Sequence, residues 1–147
     1  MPEGFIDIKG FEGQYAVNRF GDVYSYPKTL LHFRGYVLRK YDGLILATKI
    51  HRGYKNVVLS KEGKVKNYLV HQLVSRAFLP RVEGKNDINH KDGIKLNNHV
   101  SNLEWCTRSE NVKHAFRIGL MKPPNWKGKK NPKYKDGRYM KSKKTKQ

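Results

Sequence analysis

Cysteine is almost absent from this chain, since Cys106 is the one cysteine among 147 residues. A single cysteine excludes an intrachain disulfide framework and a structural zinc site built from several cysteines. Long apolar runs are also missing, because no stretch approaches the ~18 residues that a transmembrane helix needs. The first ten residues, MPEGFIDIKG, have an early acid and lack the apolar segment of a signal peptide. We therefore expect a soluble, cytoplasmic protein.

Acidic residues are scarce relative to basic ones. The chain has 12 Asp and Glu against 31 Lys and Arg, a formal net charge of +19. Such a charge repels itself unless a polyanion is near, so nucleic acid is the first partner to consider and a membrane surface the second. Composition alone also fits an RNA-binding or ribosome-like basic protein, and this alternative stays open here.

The last 27 residues have few large apolar side chains and hold eleven of the basic residues but only one acid. Such a segment cannot bury a core, so we predict an extended basic arm over residues 121–147. Its aromatic residues alternate with lysines, which is typical of an arm that follows a nucleic-acid backbone. A solubilising tail is the alternative. The predicted DNA contacts of the arm are Lys127, Lys129, Lys130 and Arg138.

Residues 1–60 have the pattern of a β-rich module. The turn Arg19-Phe20-Gly21-Asp22 lies between two apolar pairs, which predicts a hairpin. Turn dipeptides at Asp42-Gly43, Arg52-Gly53 and Glu62-Gly63 separate further strands. These strands are predicted at Tyr36–Leu38, Leu44–Ile50 and Tyr54–Leu59.

Basic residues lie near the ends of these strands, where a two-stranded ribbon could enter the major groove of DNA. The alternative is that the strands only support the rest of the fold. The predicted DNA contacts of the module are Arg34, Arg39, Lys40, Lys49, Arg52 and Lys55.

Two helices are predicted after this module. Apolar residues recur at helical spacing from Tyr68 onward and Pro80 ends the segment; they are Val70, Leu73, Val74, Ala77 and Phe78. The second helix starts with the capping box Thr107–Glu110 and ends near Gly119. Its predicted buried stripe is Val112, Ala115 and Phe116.

A polar stretch, NDINHKDGIKLNNHVSNLEWCT, separates the two helices. A strand ending at His90, a strand through Leu103–Thr107 and a helix from Arg108 would form a ββα unit. Such a unit brings residues at a strand end and in the first helical turns into one cleft. On this helix Asn111 and His114, three positions apart, share a face that differs from the apolar stripe.

The runs V-H-Q-L-V-S-R-A-F-L, N-H-K-D-G-I-K-L-N-N and S-N-L-E-W-C-T-R-S-E-N resemble HNH nucleases of the phage intron-encoded homing-endonuclease type. This resemblance covers about residues 68–116. The run F-I-D-I-K-G-F-E-G-Q-Y-A-V-N-R-F-G-D-V-Y-S is similar to the small β module that often precedes HNH domains in these enzymes.

The resemblance implies a ββα-metal active site that hydrolyses a DNA phosphodiester with one divalent cation, Mg²⁺ or Mn²⁺. It implies that His90 is the general base, Asn102 the residue that braces the loop, and Asn111 a helix-borne metal ligand. Asn89 occupies the ligand position before the histidine, where many HNH nucleases have an aspartate. The third family position is also Asn rather than His.

The chemistry of these residue types is consistent with such roles. Neutral imidazole accepts a proton from water at physiological pH, and Mg²⁺ prefers oxygen ligands. Because Asn89 and Asn111 are neutral, we expect the protein alone to hold metal weakly and DNA to complete the site. His71 and His114 could each contact phosphate or help to fix the site, and packing is an equal alternative for both. Asp92 is predicted to shape its Asp-Gly turn.

We therefore predict an α+β protein with a β-rich module over residues 1–60, a ββα-metal HNH nuclease domain over 61–120 and the basic arm. The expected function is metal-dependent cleavage of double-stranded DNA at a preferred site. The enzyme would be a monomer if it nicks, and a dimer or a second cleavage event would be needed to cut both strands. We expect no membrane partner and no small-molecule cofactor. The alternative is a non-catalytic nucleic-acid-binding protein on a degenerate HNH scaffold.

Overall fold

Short strands separated by glycine turns form most of the first half of the structure, a computed structural model that describes residues 1–31, 38–122, 134–135 and 138–139. The strands are β1 (Phe5–Asp7), β2 (Tyr15–Asn18), β3 (Val23–Ser25), β4 (Lys28–Leu31), β5 (Leu38–Tyr41), β6 (Leu44–Ile45), β7 (Lys49–His51), β8 (Tyr54–Lys61) and β9 (Lys64–Leu69). The first sheet has the order β1-β2-β3-β6. Strands β4 and β5 form a separate pair, and a second sheet has the order β7-β8-β9.

The predicted hairpin is present as the antiparallel pair β2–β3. The Asn18 side chain forms its turn, since Oδ1 accepts hydrogen bonds from the backbone N–H groups of Phe20 and Asp22. Gly21 adopts a φ of +92°, and a Cβ there would meet Val70 at 2.9 Å. Glycine is therefore required both by the backbone conformation and by the close approach of the turn to the first helix.

The single strand predicted over Leu44–Ile50 is wrong. The chain forms two short strands there, β6 and β7, which belong to different sheets. Leu46 lies between them, packs against the core and donates its backbone N–H to Val23 O at 2.7 Å. Leu44, Ile45 and Ile50 are exposed, so the continuous apolar run does not mark a continuous buried strand.

The turns of the second sheet are the ones predicted. Arg52 and Gly53 have φ of 52° and 80°, and Glu62 and Gly63 have φ of 51° and 74°. Two consecutive residues with positive φ fit the tight turns that match the twist of β-hairpins. The predicted strand Tyr36–Leu38 falls outside the described residues except for Leu38, which begins β5.

Helix α1 (Val70–Phe78) follows β9 directly and buries the predicted face of Val70, Leu73 and Val74. These side chains join a core that contains residues of both predicted domains. Val57 and Leu59 of β8 lie in the same core as Val70. The predicted boundary between residues 60 and 61 therefore falls inside β8, and residues 1–60 share their core with the segment that follows.

The predicted ββα unit is present as β10 (Asp87–His90), β11 (Leu103–Cys106) and α2 (Arg108–Arg117), with a 3-10 turn at Val100–Asn102 before β11. The strands are antiparallel and place Asn89 opposite Glu104. Thr107 and Glu110 form the predicted capping box, and Gly119 ends the helix region with a φ of +77°.

The predicted buried stripe of α2 is wrong. Val112 and Ala115 are only half-buried, and Phe116 is 37% exposed. The buried residue of this helix is His114. The reason is that α2 packs against β10, whose last residues are the polar Asn89 and His90, so the helix buries a polar side chain and leaves its apolar side at an open cavity.

The predicted basic arm lies largely outside the described residues, as do Arg34, Lys127, Lys129 and Lys130. Two short strands, β12 (Tyr134–Lys135) and β13 (Arg138–Tyr139), pair with each other, and Arg138 belongs to the second. Neither helix of the described segments is long and apolar enough to cross a bilayer.

Candidate active site

The loop between β10 and β11 is held by the side chain of Asn102. Its Oδ1 accepts a hydrogen bond from the backbone N–H of Asp92 at 3.1 Å, and its Nδ2 donates to Asp92 Oδ1 and to Asn97 O, each at 2.9 Å. The backbone oxygen of Asn102 accepts from Lys91 N at 2.8 Å. Asn102 thus ties both sides of the loop to the start of β11.

Asp92 lies at the centre of this loop, as predicted for its turn. Its carboxylate accepts hydrogen bonds from Asn97 Nδ2 and Ile94 N, each at 2.7 Å, besides the one from Asn102. Desolvation raises the pKa of Asp92, but the hydrogen bonds outweigh it and hold the pKa below its ordinary value. The ionised carboxylate of Asp92 therefore accepts its hydrogen bonds from residues of this loop and its end.

His90 ends β10 and is buried. Its Nε2 lies 3.3 Å from Asn98 Oδ1, and its ring meets that of His71 edge-on at 5.2 Å between centroids. Burial lowers the pKa of His90, and Lys95 adds to this effect, while Asn98 and Asp92 oppose it. The imidazole is therefore neutral at physiological pH.

His71 lies on α1 behind His90. It is buried, and its ring also contacts Tyr54 at 5.1 Å between centroids. Burial, with a smaller contribution from His90, lowers its pKa to about 4. This buried position against the ring of His90 fits both a role in fixing the site and the packing alternative.

His114 connects α2 to the loop. It is buried, and its Nε2 lies 3.1 Å from the backbone oxygen of Lys91, the residue after His90. Since Lys91 N also binds the backbone oxygen of Asn102, His114 and Asn102 hold the same peptide segment from two sides. This position again fits both a role in fixing the site and packing.

One cavity of about 600 Å³ collects three of the predicted site residues, Asn89, His90 and Asn111. Asn102 is not among its lining residues, in keeping with its place inside the loop. Lys95 also lines the cavity, with Nζ 4.7 Å from the centroid of the Tyr54 ring. The structure therefore places a neutral imidazole, two amides and a lysine around one open space.

Asn89 also contacts a residue that the sequence did not single out. Its Nδ2 donates to Glu104 Oε1 at 2.8 Å across the β10–β11 ladder. Asn98 is a second one, since it is buried beside His90. Alternation along β11 predicts that Glu104 points to the side opposite Leu103 and Trp105, but no local pattern pairs it with Asn89.

The donor set fits a hard divalent cation rather than zinc. Among residues 1–31 and 38–122, no cluster of three His, Cys, Asp or Glu side chains could hold a metal. The side-chain oxygens of Asn89 and Asn111 receive no hydrogen bond within those residues, and both side chains line the cavity. Mg²⁺ and Mn²⁺ favour such oxygen donors and keep several waters.

The predicted DNA contacts of the N-terminal module lie on two hairpins. Lys49, Arg52 and Lys55 belong to the β7–β8 hairpin, and Arg39 and Lys40 belong to β5. All are exposed except Lys55, which is half-buried, among those whose side chains the structure describes. The hairpins therefore carry positive charge at the surface near the strand ends.

Comparison with known proteins agrees with the geometry of the ββα unit. Residues 68–113 match the HNH endonuclease family and residues 3–60 match the NUMOD4 motif. The DNA endonuclease I-HmuI of Bacillus phage SP01 is 37% identical over 118 residues, which cover 78% of this chain and 59% of that protein. The uncharacterized HNH endonuclease L245 of Acanthamoeba polyphaga mimivirus is 41% identical over 88 residues, or 60% of this chain and 27% of that one.

A solved structure described as DNA binding and cleavage by the HNH homing endonuclease I-HmuI matches with a TM-score of 0.63 and 36% identity. The match covers 81% of this chain and 61% of that chain. The chain thus spans less than two thirds of the length of these relatives. The ββα unit, its cleft and both sequence matches show that the chain contains an HNH endonuclease domain, with a NUMOD4 motif ahead of it.

Proposed function

We propose that the chain is a metal-dependent DNA endonuclease that cleaves at a preferred site, with His90 as general base and one divalent cation. The observation that carries this proposal is the cavity that Asn89, His90 and Asn111 line together on the ββα unit. The HNH match over residues 68–113 supports the same reaction class.

His90 has the properties that a general base needs. Burial lowers its pKa, so the ring is neutral and able to take a proton from a water molecule at physiological pH. Support from His71 and Asn98 restricts the orientation of the ring. A base held in one orientation at the wall of an open cavity is well placed to act on a water beside a bound phosphate.

Asn89 and Asn111 would hold the cation through their amide oxygens. When bound, Mg²⁺ or Mn²⁺ polarises the scissile phosphate and stabilises negative charge on the leaving oxygen. Because both ligands are neutral, phosphate oxygens of DNA would complete the ligand set. Lys95 adds a positive charge at the same cavity and favours binding of a phosphate there.

Double-stranded DNA is the proposed partner in the cytoplasm of a host cell. The β7–β8 hairpin would contact it through Lys49, Arg52 and Lys55, and the basic C-terminal segment would follow its backbone. One HNH unit offers one active site, so a monomer of this chain would nick a single strand.

A second candidate is DNA binding without cleavage. It is favoured by one observation, the absence of a carboxylate at both proposed ligand positions, Asn89 and Asn111. In that case the charged surface would be kept and the cavity would bind phosphate without hydrolysing it.

A nicking assay separates the two candidates. Supercoiled plasmid and phage DNA are incubated with Mg²⁺ or Mn²⁺ and the wild-type protein, His90→Ala, or the control Asn67→Ala, which changes an exposed residue of β9. We expect metal-dependent nicking by wild type and control, and a loss of about 10²–10⁴-fold in His90→Ala. Equal DNA binding without cleavage by any of the three proteins, across DNAs and metals, would establish the binding protein instead.

A further inference from the structure

The geometry points to Glu104 as a positioning residue that sets which end of the Asn89 amide faces the cavity. The inference rests on the proposed function, since it assigns a role to Glu104 in the metal site of that reaction. It concerns a residue outside the proposed catalytic and ligand set, on the strand next to that of Asn89.

The hydrogen bond between the side chains of Asn89 and Glu104 fixes the orientation of the Asn89 amide. Asn89 Nδ2 lies 2.8 Å from Glu104 Oε1, and the two residues face each other in the β10–β11 register. In a planar amide the oxygen and the nitrogen lie on opposite branches of the carbonyl carbon. Donation of the NH₂ group to Glu104 therefore turns Asn89 Oδ1 away from Glu104.

Two cavities have Asn89 in their lining, and they differ in the other residues that line them. Asn89 lines both of them, Asn111 lines only the first, and Glu104 lines only the second. An oxygen directed away from Glu104 is directed to the side of Asn111. The pair therefore presents two amide oxygens, from β10 and from α2, to one space.

Asn89 needs this control because an amide has two different ends. A rotation of the amide would replace the oxygen by an NH₂ group, which cannot bind a cation. An ionised carboxylate only accepts hydrogen bonds, so Glu104 permits only one of the two orientations. A glutamine at position 104 could accept from the nitrogen or donate to the oxygen and would permit both.

Glu104 also supplies charge. Both proposed ligands, Asn89 and Asn111, are neutral and bring no negative charge of their own to a cation. The carboxylate of Glu104 lies one hydrogen bond away from Asn89, so the Asn89–Glu104 pair carries a single negative charge on its far member. The pair therefore contains one amide and one carboxylate. An aspartate at position 89 and a glutamine at position 104 would supply the same two groups and the same charge, with their positions exchanged.

The test exchanges the amide and the carboxylate between positions 89 and 104. Glu104→Gln, the double variant that combines Asn89→Asp with Glu104→Gln, and the control Glu83→Gln, which removes an exposed carboxylate, are compared with wild type. Mn²⁺ binding by the full chain in the presence of duplex DNA is measured from the decrease of the free-ion EPR signal, and folding is followed by circular dichroism. Nicking is scored in the same samples.

We expect Glu104→Gln to lower the Mn²⁺ affinity about tenfold to 100-fold, as is common for partners that orient metal ligands. The double variant should bind Mn²⁺ at least as tightly as wild type. Its new carboxylate on β10 accepts a hydrogen bond from the new amide on β11 and offers an oxygen to the metal whichever way it rotates. The control should match wild type.

Two results would overturn the inference. One is wild-type Mn²⁺ affinity in Glu104→Gln, and the other is a folded double variant that binds Mn²⁺ as weakly as Glu104→Gln. If wild type nicks DNA while Glu104→Gln keeps full affinity, only the role of Glu104 is refuted. A wild type that neither nicks nor binds Mn²⁺ refutes the proposed function itself.

Discussion

The Oδ1 of Asn98 lies 3.3 Å from the Nε2 of His90, and Asn98 is 2% exposed. As an acceptor this oxygen favours the tautomer with the proton on Nε2, which leaves Nδ1 with its lone pair. The Nδ2 of Asn98 has no partner within residues 1–31 and 38–122. In this arrangement Nδ1 is the nitrogen of the proposed base that is able to accept a proton.

Asn98→Asp should shift the pH dependence of cleavage. A buried carboxylate beside Nε2 stabilises the imidazolium, so the pKa of His90 rises and the ring stays protonated to higher pH. Because the base must be neutral, the acid limb of the pH–rate profile should move upward by at least about one pH unit.

NMR titration of the His90 ring checks the pKa directly. Asn67→Asp, the same change at an exposed position of β9, serves as the control and should leave the profile in place. An unchanged His90 titration in Asn98→Asp would show that Asn98 does not act on the base.

His71 should make the fold less stable in mild acid. Burial lowers its pKa from 6.5 to about 4, so the unfolded chain takes up a proton at a pH where the folded chain does not. Its contribution to stability is therefore complete above pH 6.5 and is lost as the pH falls toward 4. We expect a loss of about 2 kcal/mol in the free energy of unfolding between pH 7 and pH 5.

Urea denaturation of wild type and His71→Gln at the two pH values measures this effect. The variant should show a smaller loss between pH 7 and pH 5, even if it is less stable overall. Equal losses in the two proteins would assign the acid sensitivity to other groups.

Asn102→Ala should loosen the loop that precedes β11. The variant loses three side-chain hydrogen bonds and leaves the N–H of Asp92 and the oxygen of Asn97 without their partner. At about 0.5–1.5 kcal/mol for each bond, the free energy of unfolding should fall by about 2–4 kcal/mol.

Asn97→Ala is the matched comparison, since the side chain of Asn97 donates one strong bond, to Asp92 Oδ2 at 2.7 Å. Its loss should be about 1 kcal/mol. Urea denaturation gives both values, and equal stability of the two variants would contradict the bracing role of Asn102.

Lys49→Gln and Lys55→Gln should lower the salt dependence of DNA binding. Each phosphate contact that is removed should reduce the slope of log K against log[salt] by about one. Fluorescence anisotropy with duplex DNA at several salt concentrations measures the slope. Lys9→Gln, which removes a charge outside the two hairpins, should leave it unchanged, and a slope that stays constant in the β7–β8 variants would place the DNA elsewhere.

Local signals predicted the parts of the fold that local forces determine. The capping box at Thr107, the glycine turns and the strand ending at His90 depend on neighbours in sequence, and each is found where the sequence placed it. The placement of Asn89, His90 and Asn111 around one cavity follows from that ββα unit.

The parts that were missed depend on contacts between distant residues. Glu104 is fifteen positions from Asn89, and His71 on helix α1 contacts His90 at the end of strand β10. The apolar stripe of α2 was predicted as buried because such a pattern assumes an apolar partner. The end of β10 that packs against α2 is polar, so the stripe has no apolar partner there and Phe116 stays exposed.

The shared core of β8 and α1 also limits how this protein can be recombined. Val57 and Leu59 precede residue 60, and Val70 and Val74 follow it, yet all four are buried in one cluster. An exchange of the N-terminal module at residue 60 would join two half-cores that were not selected to fit. A chimera that changes DNA specificity should therefore transfer β8, β9 and the buried face of α1 as a unit. Its junction should lie in the exposed segment after Leu79.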